Sequence, residues 1–145
     1  MINALLPIAI AATDNKIKTH REENDTVYNY GCNDVKIVTF HNKGAFLGLG
    51  EKNPAIVMAL SAALTLIISI VYVLTLGKKG AGALKLGLGL LLGGACSNTY
   101  DRIKKGYVVD YLIFPKAPGR VKNVIFNLSD FAIIIGAFIS ALSDK

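Results

Sequence analysis

The chain contains no tryptophan and only six Phe and six Tyr among 145 residues, so its apolar half is largely aliphatic. It has two cysteines, Cys32 in a polar stretch and Cys96 in an apolar one, which provide no disulfide framework. The two histidines, His20 and His41, are far apart, and no zinc-type spacing of Cys and His occurs. Neither the cysteines nor the histidines are therefore assigned a chemical role. Internal repeats and low-complexity tracts are absent, and the length is that of a single domain, residues 1–145. Charged residues make up only 18 % of the chain, and 52 % is hydrophobic in long runs, a balance that fits an integral membrane protein better than a soluble one.

What is present begins with those runs. Residues 55–76 carry no charge and, at 1.5 Å per residue, span roughly 30 Å as a helix, enough to cross a bilayer. Pro54 precedes them, where a helix tolerates proline. A basic turn, Gly77-Lys78-Lys79-Gly80, leads to a second apolar run with one charge near its start, Lys85, which can snorkel to the interface. Its glycines, Gly87, Gly89, Gly93 and Gly94, would weaken a soluble helix but permit close helix contacts in a membrane. A further run covers residues 124–142. Residues 2–12 are apolar but short, and without a basic n-region they do not read as a cleaved signal peptide. Continued to Lys18 they make a first span. The expected spans are thus 2–18, 55–76, 81–98 and 124–142. The polar stretch between the first two contains an alternating segment, Val35-Lys36-Ile37-Val38-Thr39-Phe40, that reads as a strand. A small β-rich platform over roughly residues 26–53 is predicted at the membrane surface. The fold class is an all-α membrane bundle of four transmembrane helices bearing that platform.

The net charge is +6. Because the basic residues flank apolar runs, anionic headgroups rather than nucleic acid are the expected partner. Two acids occur where apolar segments meet the interface, Asp110 and Asp130, and an acid there is costly to keep. Two carboxylates near 4 Å would repel by about 4 kcal/mol at an effective dielectric near 20, so one would hold a proton while the other stays ionised. That is the chemistry of an aspartate dyad cutting a peptide bond with water. Spacing alone equally allows a loop acid at 110 and a helix N-terminal acid at 130 favoured by the macrodipole. Asn127 lies three residues before Asp130, on the same helix face if both are helical. Asn98, Asp101 and Arg102 form a polar cluster at the end of a span, read either as caps and an interfacial anchor or as a scaffold for the site. Asp14 and Lys18 have the i,i+4 spacing of an ordinary helix ion pair. Asn42-Lys43-Gly44-Ala45-Phe46 reads, unaided, as a turn.

Five segments in order resemble those of the bacterial lipoprotein signal peptidases, signal peptidase II. They are Asp14 to Lys18; Asn42 to Phe46; Gly93-Gly94-Ala95 with Asn98, Asp101 and Arg102; Gly106 with Val108-Val109-Asp110-Tyr111; and Phe126-Asn127-Leu128-Ser129-Asp130. Three depart from the pattern. Tyr111 stands where the family has Phe, Ser129 where it has a small Ala, and the Asn42 segment is one Ala short. The resemblance implies a four-helix aspartyl endopeptidase of the bacterial cytoplasmic membrane, with both termini cytoplasmic and the active site facing outward. Its substrate would be a diacylglyceryl prolipoprotein, cut just before the lipidated cysteine. Asp110 and Asp130 map onto the catalytic pair. Asn42, Gly44, Asn98, Arg102 and Asn127 map onto substrate-contacting or site-supporting positions, together with Asp14 and Lys18. The resemblance implies no metal and no organic cofactor; phospholipids are the surrounding partner, nucleic acid is not one, and a monomer is expected. Two other classes remain open at this point: a silent homologue that binds lipidated peptides, supported by the altered Asn42 segment, and a small proton-coupled transporter, for which no repeat or broken-helix pair speaks. Charge runs against the implied topology. The stretches 14–53 and 99–123 would lie outside, yet each holds six of the sixteen Lys and Arg, and the positive-inside rule favours the reverse.

Overall fold

A computed structural model of the chain describes residues 2–45 and 48–143. Among them are four α-helices and one four-stranded antiparallel sheet. The apolar runs account for the helices, although their ends differ from those predicted. α1, Ile2–Glu23, continues past Lys18 and is about 33 Å long at 1.5 Å per residue. α2, Pro54–Leu76, is the uncharged run, with Pro54 in the first turn, where its missing N–H costs no helix bond. α3, Gly82–Lys105, runs beyond the expected end at residue 98 and stops at Gly106, whose φ of 82° makes a left-handed cap. α4, Leu128–Leu142, is shorter than the expected span 124–142. Residues 125–126 pair as a strand instead, and Asn127 is the N-cap rather than a first-turn residue.

The sheet also departs from the prediction of a platform confined to residues 26–53. β1, Tyr28–Tyr30, and β2, Val35–Asn42, come from that stretch. β3, Val108–Ile113, and β4, Ile125–Phe126, come from the connection between α3 and α4, in the order β1-β2-β3-β4. β3 fills the middle because Val108, Val109 and Tyr111 are all buried, so the segment expected to be a loop carries strand hydrogen bonds on both sides. Phe46, the last residue of the Asn42 segment, lies outside the described residues.

α3 is the central helix, packed on α1, α2 and α4. Its glycines make this possible. A Cβ on Gly93 would come within 2.8 Å of Ile10 of α1, and one on Gly94 would strike the Ser129 carbonyl of α4. The packing is inside-out relative to a soluble protein. Apart from two valines, the largest fully buried side chains are polar: Lys18, Asn127, Asp14, Asp101, Ser97 and Ser129. Leu60, Leu64, Ile67, Leu74, Ile134 and Phe138 are exposed. α2 is the one described helix long and apolar enough to cross a membrane, and only 11 % of its most apolar stretch is buried in the protein. α4 is apolar but short, while α1 and α3 dilute their apolar surface with polar residues turned inward.

Candidate active site

The connectivity brings the end of α1, the start of α2, the end of α3 and the start of α4 to one side, where the sheet lies. Asp110, third in β3, and Asp130, in the first turn of α4, meet there. A cavity of about 60 Å³ is lined by both acids together with Asn42, Asn98 and Arg102. Asp110 is nearly inaccessible, at 3 % exposure. Burial, and then the charge of Asp130, push its carboxyl up from 3.8 to about 7 against the hydrogen bonds from Asn42 and Asn127 and the charge of Lys18. A carboxyl that protonates near neutrality beside a second carboxylate is the arrangement an aspartate dyad requires.

Side-chain amides fix both acids. Asn42 Nδ2 donates to Asp110 Oδ2 at 2.9 Å and Asn127 Nδ2 to Asp110 Oδ1 at 2.8 Å. Asn98 Nδ2 donates to Asp130 Oδ1 at 3.0 Å, and the Asn127 backbone N–H to Asp130 Oδ2 at 2.9 Å. The Asp130 N–H returns a bond to Asn127 Oδ1, which completes a reciprocal capping box. Asp130 is thus a helix N-terminal acid and a member of the pair at once, so the two sequence readings of it are not exclusive. Asn127 Nδ2 also approaches Asn98 Oδ1 at 3.1 Å, so one amide touches structures supporting both acids. The shortened Asn42 segment still delivers its asparagine to Asp110, which removes the one sequence argument for a silent homologue. Asn42 Oδ1 accepts from the Gly44 N–H at 3.0 Å, and Arg102 Nη2 donates to the Gly44 carbonyl at 3.0 Å. A Cβ on Gly44 would come within 2.8 Å of Gly48. Arg102 Nε has no partner among the described residues although it is buried.

Beneath the pair lies a second network. Asp14 and Lys18 are more than a surface ion pair, since both are fully buried with Nζ to Oδ2 at 2.8 Å. Lys18 Nζ also reaches Asp101 Oδ2 at 3.1 Å, Ser97 Oγ at 3.0 Å and Asn98 Oδ1 at 2.9 Å. Asp101 is therefore not an interfacial anchor with Arg102. It is wholly buried between Lys18 and Lys105 and accepts the Val109 N–H at 3.2 Å. Two of the three departures from the family pattern fall in this network, because the hydroxyls of Tyr111 and Ser129 both bind Asp14. Burial and the Asp14 charge push the Tyr111 hydroxyl well above its usual range. Sequence reasoning missed Ser97 and the hydroxyl role of Tyr111. A serine beside Asn98 inside an apolar run was the available signal. His41, left without a role, stacks on Tyr107 at 4.1 Å and lies 3.5 Å from Glu22 at the outer surface.

Two larger hollows flank the acids. One, of about 570 Å³, runs between α2, α3 and α4, walled by Leu64, Ile68, Leu91, Ala95, Ile133 and Ile134, and closed at one end by Asn98, Arg102 and Asp130. The other, of about 560 Å³, lies along the sheet between Phe40, Asn42, Glu51, Asp110 and Arg120. An apolar groove and a polar groove therefore converge on the same pair.

Comparison with known proteins accords with this geometry. Two solved bacterial membrane enzymes, determined by the in meso method at 2.3 Å and 1.9 Å, share the fold. The first gives a TM-score of 0.79 at 22 % identity over 98 % of this chain and 86 % of its own, the second 0.74 at 20 % over 98 % and 91 %. The lipoprotein signal peptidase of Halothermothrix orenii is 37 % identical over 72 % of this chain and 66 % of its own length. That of Moorella thermoacetica is 31 % identical over 96 % and 87 %. Residues 6–143 match the family described as signal peptidase (SPase) II, and the chain belongs to that family.

Proposed function

We propose that the chain is a membrane aspartic endopeptidase that removes the signal peptide from diacylglyceryl-modified prolipoproteins, cutting before the lipidated cysteine. Family membership supports the removal of signal peptides from prolipoproteins. The observation that carries the mechanism is the convergence of two buried aspartates, each held by asparagine amides, at the meeting point of an apolar and a polar groove. Up to about pH 7 the pair shares one proton, and Asp110, its carboxyl raised to about 7 by burial and Asp130, serves as the acid member. Asp130 takes a proton from a water as its oxygen attacks the scissile carbonyl, and Asp110 gives its proton to that carbonyl oxygen. Collapse of the tetrahedral intermediate returns the hydroxyl proton to Asp110 and passes the proton on Asp130 to the departing cysteine nitrogen, which restores the starting state. The unpartnered Nε of Arg102 is available to a carbonyl of the bound peptide.

The acyl chains of the substrate enter the apolar groove, each buried methylene contributing about 0.8 kcal/mol. All four helices span the bacterial cytoplasmic membrane, with the sheet and the acids on the outer side. The exposed apolar faces of α2 and α4 support that placement. So does the fate of the basic residues counted against it. Lys18 and Arg21 are buried, and Lys105 is paired with Glu22 and Asp101. The cationic turn with Lys78 and Lys79 lies at the opposite end of the bundle, as cytoplasmic residues would. The site is complete within one chain, which supports action as a monomer. The deciding experiment is cleavage of a diacylglyceryl precursor beside its unlipidated twin, by wild type, Asp110→Asn and Asp130→Asn. Wild type cleaves the lipidated form, and both variants insert but do not cleave. Wild-type rates in either variant would end the dyad assignment.

A further inference from the structure

Asp14 lies on α1, outside the pair, yet its carboxylate reaches the chain neighbour of each acid. Oδ1 accepts from the hydroxyl of Tyr111 at 2.8 Å, and Tyr111 follows Asp110 in β3. Oδ2 accepts from Ser129 Oγ at 2.5 Å, and Ser129 precedes Asp130 in α4. The Tyr111 oxygen in turn accepts the N–H of Leu128, the first residue of α4, at 2.9 Å. Ser97 Oγ and Lys18 Nζ hold Oδ2 from α3 and α1, at 2.7 and 2.8 Å. The carboxylate cannot drift, because it is wholly buried and four side chains from four elements donate to it.

We propose that Asp14 is a positioning residue that sets the separation of Asp110 and Asp130 by gripping Tyr111 and Ser129 from behind the site. The proposal rests on the reading of Asp110 and Asp130 as the catalytic pair. Strand geometry makes such a grip possible: successive side chains point to opposite faces, so Tyr111 turns toward Asp14 while Asp110 faces the cavity. The grip matters because the energy that makes two carboxylates share a proton varies inversely with their distance. Without it, the links left between β3 and α4 are the short β3–β4 ladder at Leu112–Phe126 and Ile113–Ile125, the Asn127 amide and the single bond from the Leu128 N–H to a Tyr111 hydroxyl that Asp14 no longer holds. Asp14 is wholly buried and lines none of the grooves at the pair, so its effect belongs to the chemical step and not to binding.

The test is steady-state cleavage of a diacylglyceryl precursor in detergent by Tyr111→Phe, Ser129→Ala and the double variant, with active sites counted by titration and Asp110→Asn as reference. Each single variant removes one hydroxyl and leaves the surrounding carbon skeleton in place. The expected result is a fall in kcat per active site of about 10- to 100-fold at unchanged KM, as for other small displacements of reacting groups. Wild-type kcat in both single variants and the double variant, with Asp110→Asn inactive, would overturn the proposal and leave the dyad standing. So would a rise in KM at constant kcat, or a loss explained wholly by fewer titrated sites. Cleavage by Asp110→Asn at the wild-type rate would instead remove the dyad reading on which the proposal stands.

Discussion

Replacing Asp110 with Asn is expected to do more than stop cleavage: its effect on stability depends on pH with a sign that follows from the surroundings. The carboxyl is raised from 3.8 to about 7 by burial and by Asp130. For an acid with a raised folded value, stability is greatest below the unfolded value and is lost as pH rises from there through about 7. The full loss above that pH is about 4 kcal/mol. At about pH 5 less than half of it has been incurred, so stability at about pH 5 and above about pH 8 differs by about 3 kcal/mol. An asparagine at 110 avoids this loss at every pH. It brings a constant penalty, because Asn42 Nδ2 and Asn127 Nδ2 both donate to Asp110 and an amide offers only one acceptor atom. Leaving one buried donor unmatched costs about 1–3 kcal/mol. Asp110→Asn should therefore lie within about 1 kcal/mol of wild type at about pH 5, and be more stable by about 1–3 kcal/mol at about pH 8.5. Thermal unfolding of both proteins in one non-ionic detergent at the two pH values reads this directly. The amide penalty cancels in the comparison, which leaves the ionisation alone. An equal stability difference at both pH values would refute the claim that Asp110 is raised.

The same ionisation predicts that kcat/KM for the lipidated precursor falls as pH rises through about 7, because the shared proton leaves the pair. A profile flat across that range in a pH-series assay would contradict it. Lys18→Met should lower the unfolding free energy by about 3–5 kcal/mol, since among the described residues Asp14 loses its only ion-pair partner and buried Asp101 one of two. Thermal unfolding checks this, and Lys18→Met combined with Asp101→Asn should recover part of the loss. Ala95→Leu fills the apolar groove between α2, α3 and α4 and should raise KM for the diacylglyceryl precursor while leaving kcat within a few-fold of wild type. Competition assays with precursors of shorter acyl chains would show the defect shrinking with chain length.

Much of this protein was legible in its sequence because local chemistry dictates it. The uncharged run of α2 can only be a helix hidden from water or buried in lipid, and Pro54 marks its start. The order of five short segments was enough to single out Asp110, Asp130, Asn42, Gly44, Asn98, Arg102, Asn127, Asp14 and Lys18, and the fold draws all of them to one end of the bundle. What sequence could not decide was which polar groups face each other. Asp110 looked like a loop residue because strand β3 forms by pairing with β2, which comes from the connection between the first two helices. Residues 125–127 looked helical because they continue an apolar run, yet sheet pairing and the Asn127–Asp130 capping box claim them. Asp14 and Lys18 read as an everyday i,i+4 pair, and only packing shows that they sit at 0 % exposure among Ser97, Asp101, Tyr111 and Ser129. The Asp14 partners at Ser97, Tyr111 and Ser129 lie 83, 97 and 115 residues away along the chain. Periodicity reports the environment of a helix face over a few turns, and it assigns apolar faces to the interior. Here the apolar faces are outermost and the polar ones meet inside, so the partners of each acid were set by how the helices pack and not by any local pattern.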